Sequence, residues 1–157
     1  MDLQLKNKRA LVTGSSRGLG YATARILSFE GAIVTINSRD QARIQNSALK
    51  LSGETGSQVY GIAGDVGQAS VSEELVQAAT QLMGGLDILI CNAGGPPPGA
   101  FESFDEAAWQ KAFDITFMSN VRLIKAALPF LRKSQVASVL TITSYSVKQP
   151  IPNLVLS

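Results

Sequence analysis

Three glycines, Gly14, Gly18 and Gly20, stand between a short apolar run and a stretch of helical period, and that setting gives them chemical meaning. Without Cβ atoms they let a turn be tight and a helix press close to a strand, while the free N–H groups of the first helical turn face an incoming anion. A dinucleotide pyrophosphate suits such a turn. The spacing is Gly-x-x-x-Gly-x-Gly rather than Gly-x-Gly-x-x-Gly, so on this motif alone a structural turn without a ligand is the alternative. A second set of groups follows about 20 residues further on, where a carboxylate would accept from a ribose 2′-OH. The residues there are Asn37-Ser38-Arg39. Arg39 offers a planar fork to a 2′-phosphate, Ser38 adds a hydroxyl, and Arg17 lies in the glycine turn on the same side. Two cations suit a dianion, which favours NADP(H) over NAD(H). In the competing reading Arg39 is solvated and Asp40 binds the ribose, but Asp40 stands just before a helix and suits its N-cap.

These groups need a scaffold, and the chain reads as alternating short β-rich runs and longer helical segments, the pattern of βαβ units and a parallel sheet. The predicted strands are Ala10 to Thr13, Ala32 to Asn37, Val59 to Ala63, Ile88 to Asn92 and Val139 to Thr143. The first helix carries Leu19, Ala22, Thr23, Ile26 and Leu27 on one face until Gly31. A second runs from Asp40 to near Gly53, a third from Val71 to Met83, and a long one from about Asp105 to Leu131, with Pro129 kinking or ending it. Gly94-Gly95-Pro96-Pro97-Pro98-Gly99 is a stiff loop beyond the fourth strand. In open α/β sheets, ligands bind in the crevice outside the carboxyl ends of the strands.

Composition narrows the chemistry. The 157 residues are 45% apolar and 17% charged, which fits one globular domain and excludes a disordered chain. No His is present, so mechanisms that need an imidazole are excluded, and Cys91 as the one cysteine cannot form an internal disulfide. A formal charge of +2 is too small for a nucleic-acid surface. Lys6, Lys8 and Arg9 read as the solvated lip of the first strand. No apolar run approaches the roughly 18 residues of a membrane span, and Met1-Asp2 opens no signal peptide. A soluble cytoplasmic protein is expected.

Thr13-Gly14-Ser15-Ser16-Arg17-Gly18-Leu19-Gly20 resembles the cofactor loop of the short-chain dehydrogenase/reductase family. Later residues match in order. Asp65-Val66 follows the third strand, where that family contacts adenine, and Cys91-Asn92-Ala93-Gly94 resembles its Asn-Asn-Ala-Gly motif with Cys91 in place of the first Asn. Trp109 and Ala126-Ala127-Leu128-Pro129 resemble its long interface helix, and Thr143-Ser144 its strand-end serine. The resemblance spans residues 6 to 157 and implies a Rossmann-type doubly wound parallel sheet. About five of its strands are present and the outer ones are expected to be missing, so residues 1–157 read as one NAD(P)-binding domain incomplete at its C-terminal side. The fifth strand is then expected to be an uncovered apolar edge. Cofactor contacts carried over are Gly14, Ser16, Arg17, Gly18, Leu19, Gly20, Ser38, Arg39, Asp65, Val66, Asn92, Ala93 and Gly94.

The resemblance also implies hydride exchange between NADP(H) and a small carbonyl or alcohol, with a Tyr as proton donor, a Lys one turn later, a Ser that holds the substrate oxygen and an Asn for a water relay. Ser144 falls at the serine position. Counting from Trp109 and Pro129 puts Thr116 at the asparagine position, with Asn120 one turn further, and a threonine cannot donate and accept as an amide does. Counting from Ser144 puts Ser157 at the tyrosine position, and a serine hydroxyl is a far weaker acid than a phenol. Tyr145 and Lys148 are the nearby substitutes: on a helical turn they share a face and the ammonium depresses the phenol's pKa. Pro150 and Pro152 oppose a helix there, which leaves a loop over the cleft as the other reading. Two classes of function follow, an oxidoreductase and a cofactor-binding relative without hydride transfer, a sensor or scaffold. Self-association through the helix around 105–131 is the implied oligomer contact.

Overall fold

In the computed structural model, residues 3–157 are described. Five parallel strands form one sheet in the order β3-β2-β1-β4-β5: β1 is Arg9–Val12, β2 Ile33–Ser38, β3 Val59–Ala63, β4 Ile88–Cys91 and β5 Ser138–Thr141. The order reverses at β1, whose neighbours are β2 and β4, so a crevice opens above their carboxyl ends. This is the doubly wound, Rossmann-type sheet expected, with every strand end within two residues of the predicted one.

Period-two alternation sends successive strand residues to opposite faces. Ala10, Val12, Val34, Ile36, Ile88 and Ile90 form one core with Ala24 of helix α1 (Gly18–Phe29) and with Ile44, Ala48 and Leu51 of α2 (Gln41–Thr55). Leu11, Leu89 and Cys91 face the other side, against Leu75, Val76, Ala79 and Met83 of α3 (Val71–Met83). All of these strand residues but Ile88 and Ile90 have no exposed surface, as strands covered on both faces require.

The expected long helix is divided. Glu106–Phe113 forms α4, Asp114–Met118 is a π-helical turn, and Ser119–Leu131 forms α5, which passes through Pro129 instead of ending there. Side chains explain the widened turn. Thr116 Oγ1 donates to the Ala112 carbonyl (2.6 Å), Ser119 Oγ to that of Ile115 (2.6 Å) and Asn120 Nδ2 to that of Thr116 (2.6 Å). Donors aimed at these carbonyls compete with the regular backbone ladder. Leu123 and Ala127 before Pro129 and Leu131 after it hold the helix, packing into the sheet core.

Arg9 is not a solvated lip. Its Nε and Nη2 donate to the two oxygens of Asp87 (2.8 Å each), its backbone N–H adds a third bond to that carboxylate (2.9 Å), and Ser134 Oγ donates a fourth (2.6 Å). The amino ends of β1 and β4 are thereby joined to the segment leading into β5. Gly85 makes room for this clamp, since a Cβ there would run into the Arg9 guanidinium. At the far edge β5 is open, with Val139 and Leu140 exposed by 42% and 52%.

Candidate functional site

The glycine turn leaves β1 at Thr13, which is fully buried, and each glycine has a separate reason. Gly14 has φ +57°, and a Cβ there would lie 2.6 Å from the Asn92 carbonyl oxygen. Gly18 has φ +62° in open space, so its need is conformational. At Gly20 a Cβ would lie 2.6 Å from the Gly14 carbonyl oxygen, so close approach of α1 to the turn excludes a side chain. Arg17 is the N-cap residue of α1 and makes no side-chain cap bond, which leaves the helix's first N–H groups without a side-chain acceptor.

Polar side chains, buried or half-buried, stitch neighbouring strand ends together. Asn92 Nδ2 donates to the carbonyls of Gly14 (2.9 Å) and Thr13 (3.3 Å), and Thr13 Oγ1 donates to the Asn92 carbonyl (2.7 Å) while accepting from its N–H (2.9 Å). Ser15 Oγ donates to the Val12 carbonyl (2.6 Å) and accepts from the Asn37 N–H (3.0 Å). Asn37 Nδ2 in turn donates to the carbonyls of Ile62 and Gly64, both at 3.1 Å. The carboxyl ends of β3, β2, β1 and β4 are thus linked in series. Sequence reasoning missed Ser15 and the Asn37 side chain in this role; the signal was a polar residue at each end of an otherwise apolar run.

Two clefts lie above these ends. The first is lined by Gly14, Ser16, Arg17, Ser38, Arg39, Asp65, Val66, Ala93 and Gly94 from the expected set, and by Asn37, Asp40, Arg43, Gly64 and Ile115 besides. Among the described residues neither Arg17 nor Arg39 has an ion-pair partner. Asp40 caps α2, its Oδ1 accepting from the Arg43 N–H at 2.9 Å. Asp65 Oδ1 accepts from the Gly67 N–H (3.0 Å) and closes the turn after β3. Gly18 and Gly20 are not on the wall of either cleft, while Leu19 and Asn92 line the second.

That second cleft, about 380 Å³, adjoins the first through Ala93, Gly94 and Ile115 and brings together Thr116, Asn120, Ser144 and Ser157. Ser144 Oγ accepts from the Ser146 N–H (3.1 Å) and shares a hydrogen bond with Ser146 Oγ (2.6 Å), and Ser146 Oγ reaches the Ser157 carbonyl (3.3 Å). Tyr145 and Lys148 are not on its wall. Tyr145–Val147 is a single 3₁₀ turn, Tyr145 is 67% exposed, and its hydroxyl donates to Gln149 Oε1 (2.6 Å), so the expected pair does not face Ser144. The turn ends ahead of Pro150, as the residue before a proline avoids helix. Cys91, just below Asn92, is fully buried, and burial pushes its thiol up to about 12, so it is a core residue rather than a nucleophile.

The arrangement fits a nicotinamide dinucleotide on three observations of this chain: an uncapped helix N-terminus beside a turn that excludes side chains, unpaired guanidiniums at one end, and a continuous groove from them to Ser144. Among the described residues no helix is long and apolar enough to cross a membrane, and no group of His, Cys, Asp and Glu could hold a metal.

Comparison with known proteins agrees in kind. Residues 8–156 match the profile of the short chain dehydrogenase family. Dehydrogenase/reductase SDR family member 4 of Bos taurus is 38% identical over 151 residues, which are 96% of this chain and 54% of that protein, so the chain spans about half the length of the curated relatives it matches. L-sorbose reductase from Gluconobacter frateurii, solved with NADPH and L-sorbose, superposes with a TM-score of 0.95 at 28% identity over 99% of this chain and 59% of its own. An NADH-dependent reductase responsible for alginate metabolism gives 0.89 at 31%, covering 98% and 65%. An NADPH-bound short chain oxidoreductase from Pseudomonas aeruginosa PAO1 with an atypical catalytic center gives 0.89 at 27%, covering 96% and 60%.

Proposed function

The chain belongs to the short chain dehydrogenase family, and from that premise we propose that it serves an NADP(H)-dependent oxidoreductase acting on a small carbonyl or alcohol. The observation that carries the cofactor choice is the first cleft. Arg17 and Arg39 line it without ion-pair partners among the described residues, while Asp40 is engaged as the cap of α2. A 2′-phosphate is the group that such a cleft neutralises. The glycine turn and the first N–H groups of α1 would hold the pyrophosphate, Asp65 and Val66 the adenine, and Asn92, Ala93 and Gly94 the nicotinamide side of the groove. Bound there, the cofactor supplies or takes the hydride. Ser144, its hydroxyl steadied by Ser146, would hold the substrate oxygen. Fluorescence titration of the full chain with NADPH and NADH tests the cofactor choice: tighter NADPH binding is expected, and equal or tighter NADH binding overturns it.

A second reading, cofactor binding without hydride transfer, is favoured by one feature. The positions expected for the proton donor and its amide support carry Ser157 and Thr116, and Thr116 already donates to the Ala112 carbonyl. Tyr145 is the remaining phenol near Ser144 in sequence, and its hydroxyl is bonded to Gln149. NADPH consumption with a panel of ketones supports the enzyme; binding without oxidation supports the sensor or scaffold. We also propose a cytoplasmic location and self-association through residues 105–131, where Phe113 and Phe117 stack with centroids 5.2 Å apart while about half exposed.

A further inference from the structure

The cleft lined by Arg17 and Arg39 holds a third guanidinium, which the spacing of the sequence did not point to. Arg43 stands on the first turn of α2, and it lines the same cleft as Ser38 and Arg39. Its ion pair is with Asp40, Nη2 to Oδ2 at 3.7 Å, and both side chains are about half exposed. The other oxygen of Asp40 accepts from the Arg43 backbone N–H, so the carboxylate is anchored at the cleft edge whatever the guanidinium does. An exposed pair at this distance is weakly held. A dianion in the cleft attracts the guanidinium more strongly than one solvated carboxylate, and offers it charge-assisted hydrogen bonds. Without Arg43, the anchored Asp40 would face that dianion as a like charge.

We infer that Arg43 is a specificity-determining residue of this cleft, binding the 2′-phosphate of the dinucleotide alongside Arg39 and screening Asp40 from it. The inference rests on the NADP(H) reading above. The second carboxylate on the wall, Asp65, is engaged by the Gly67 N–H and lies on the segment after β3, so the charge next to Arg39 in the chain is the one Arg43 offsets.

Calorimetric titration of the full chain with 2′,5′-ADP and with 5′-AMP, ligands that differ by the one 2′-phosphate, isolates this contact. Arg43→Gln is expected to weaken 2′,5′-ADP about fivefold and leave 5′-AMP within about twofold. Adding Asp40→Asn, which keeps a capping side chain, is expected to recover about half of that loss. Arg43→Lys is expected to fall between wild type and Arg43→Gln, because it keeps the charge and loses the fork. If the wild type prefers 2′,5′-ADP and Arg43→Gln keeps the same preference, the Arg43 assignment is wrong and the cofactor reading stands. If Arg43→Gln weakens both ligands alike, the residue serves the start of α2 and the assignment is again wrong. If the wild type does not distinguish the two ligands, the cofactor reading falls and the assignment with it.

Discussion

The carboxyl ends of β1, β2 and β3 and the segment after β5 both border the groove, yet they are built differently. In the first region Thr13, Ser15 and Asn37 are essentially inaccessible to solvent, and each bonds to backbone groups of a neighbouring strand or its extension. In the second, Tyr145 and Val147 are about two-thirds exposed, and the hydroxyl contacts of Ser144 and Ser146 are to each other and to Ser157. The glycine turn is pre-organised because its polar groups are satisfied away from water, where an alternative arrangement would leave them unpaired. The Ser144 segment is set by local turns in contact with solvent, which competes for the same hydrogen bonds. In the proposed reading, cofactor binding draws on the rigid region and substrate chemistry on the softer one, so the two are expected to be separable by mutation.

The sharpest contrast comes from Gly14→Ala, which combines φ +57° with a Cβ 2.6 Å from a backbone oxygen. It is expected to lower stability by about 3 kcal/mol or more and to abolish NADPH binding. Urea denaturation and a cofactor titration check it, and near-normal binding would show that the turn is not rigid. Asp87→Asn comes next, acting at the opposite end of the sheet. Losing the paired carboxylate is expected to cost about 2 kcal/mol while cofactor affinity is retained. The Arg9 side-chain hydrogen bond is the largest cause holding Asp87 well below the usual carboxylate range, opposed by burial and helped by Ser134. Because folding lowers this pKa, the stabilisation is complete above the unfolded value of about 3.9 and is lost as pH falls through the folded one. Urea midpoints measured from pH 5 down to pH 2 should therefore fall more steeply for wild type than for Asp87→Asn. The smallest effect is expected from Leu140→Ser on the open edge, within about 0.5 kcal/mol of wild type and without change in NADPH affinity. A large loss of stability there would show that β5 is covered in solution.

Much of the fold was legible because its signals are local. The bounds of the third strand and third helix, Val59–Ala63 and Val71–Met83, coincide with the predicted ones, and Asp40 caps α2 as its position before the helix implied. The π-helical turn at Asp114–Met118 was not legible, since Thr116, Ser119 and Asn120 read as ordinary helix residues until their side chains are seen on the carbonyls four positions back. Arg9 was misread for another reason: its partner Asp87 is 78 positions away, and charge spacing along a chain carries no information about such a pair. Arg43 escaped notice because it precedes no motif and reaches the cleft only through the geometry of the first turn of α2.

By itself the sequence determined the alternation of strands and helices, the glycine turn and the groups that flank it, because periodicity, backbone freedom and capping act over a few residues. The tertiary structure decided which polar side chains meet. Strand order brings Arg9 to Asp87 and Thr13 to Asn92, and burial turns those meetings into hydrogen bonds without competition from water. It also decided that Tyr145 faces Gln149 and that Ser157 lies on the cleft wall, because side-chain direction in an irregular segment follows from what surrounds it rather than from its spacing.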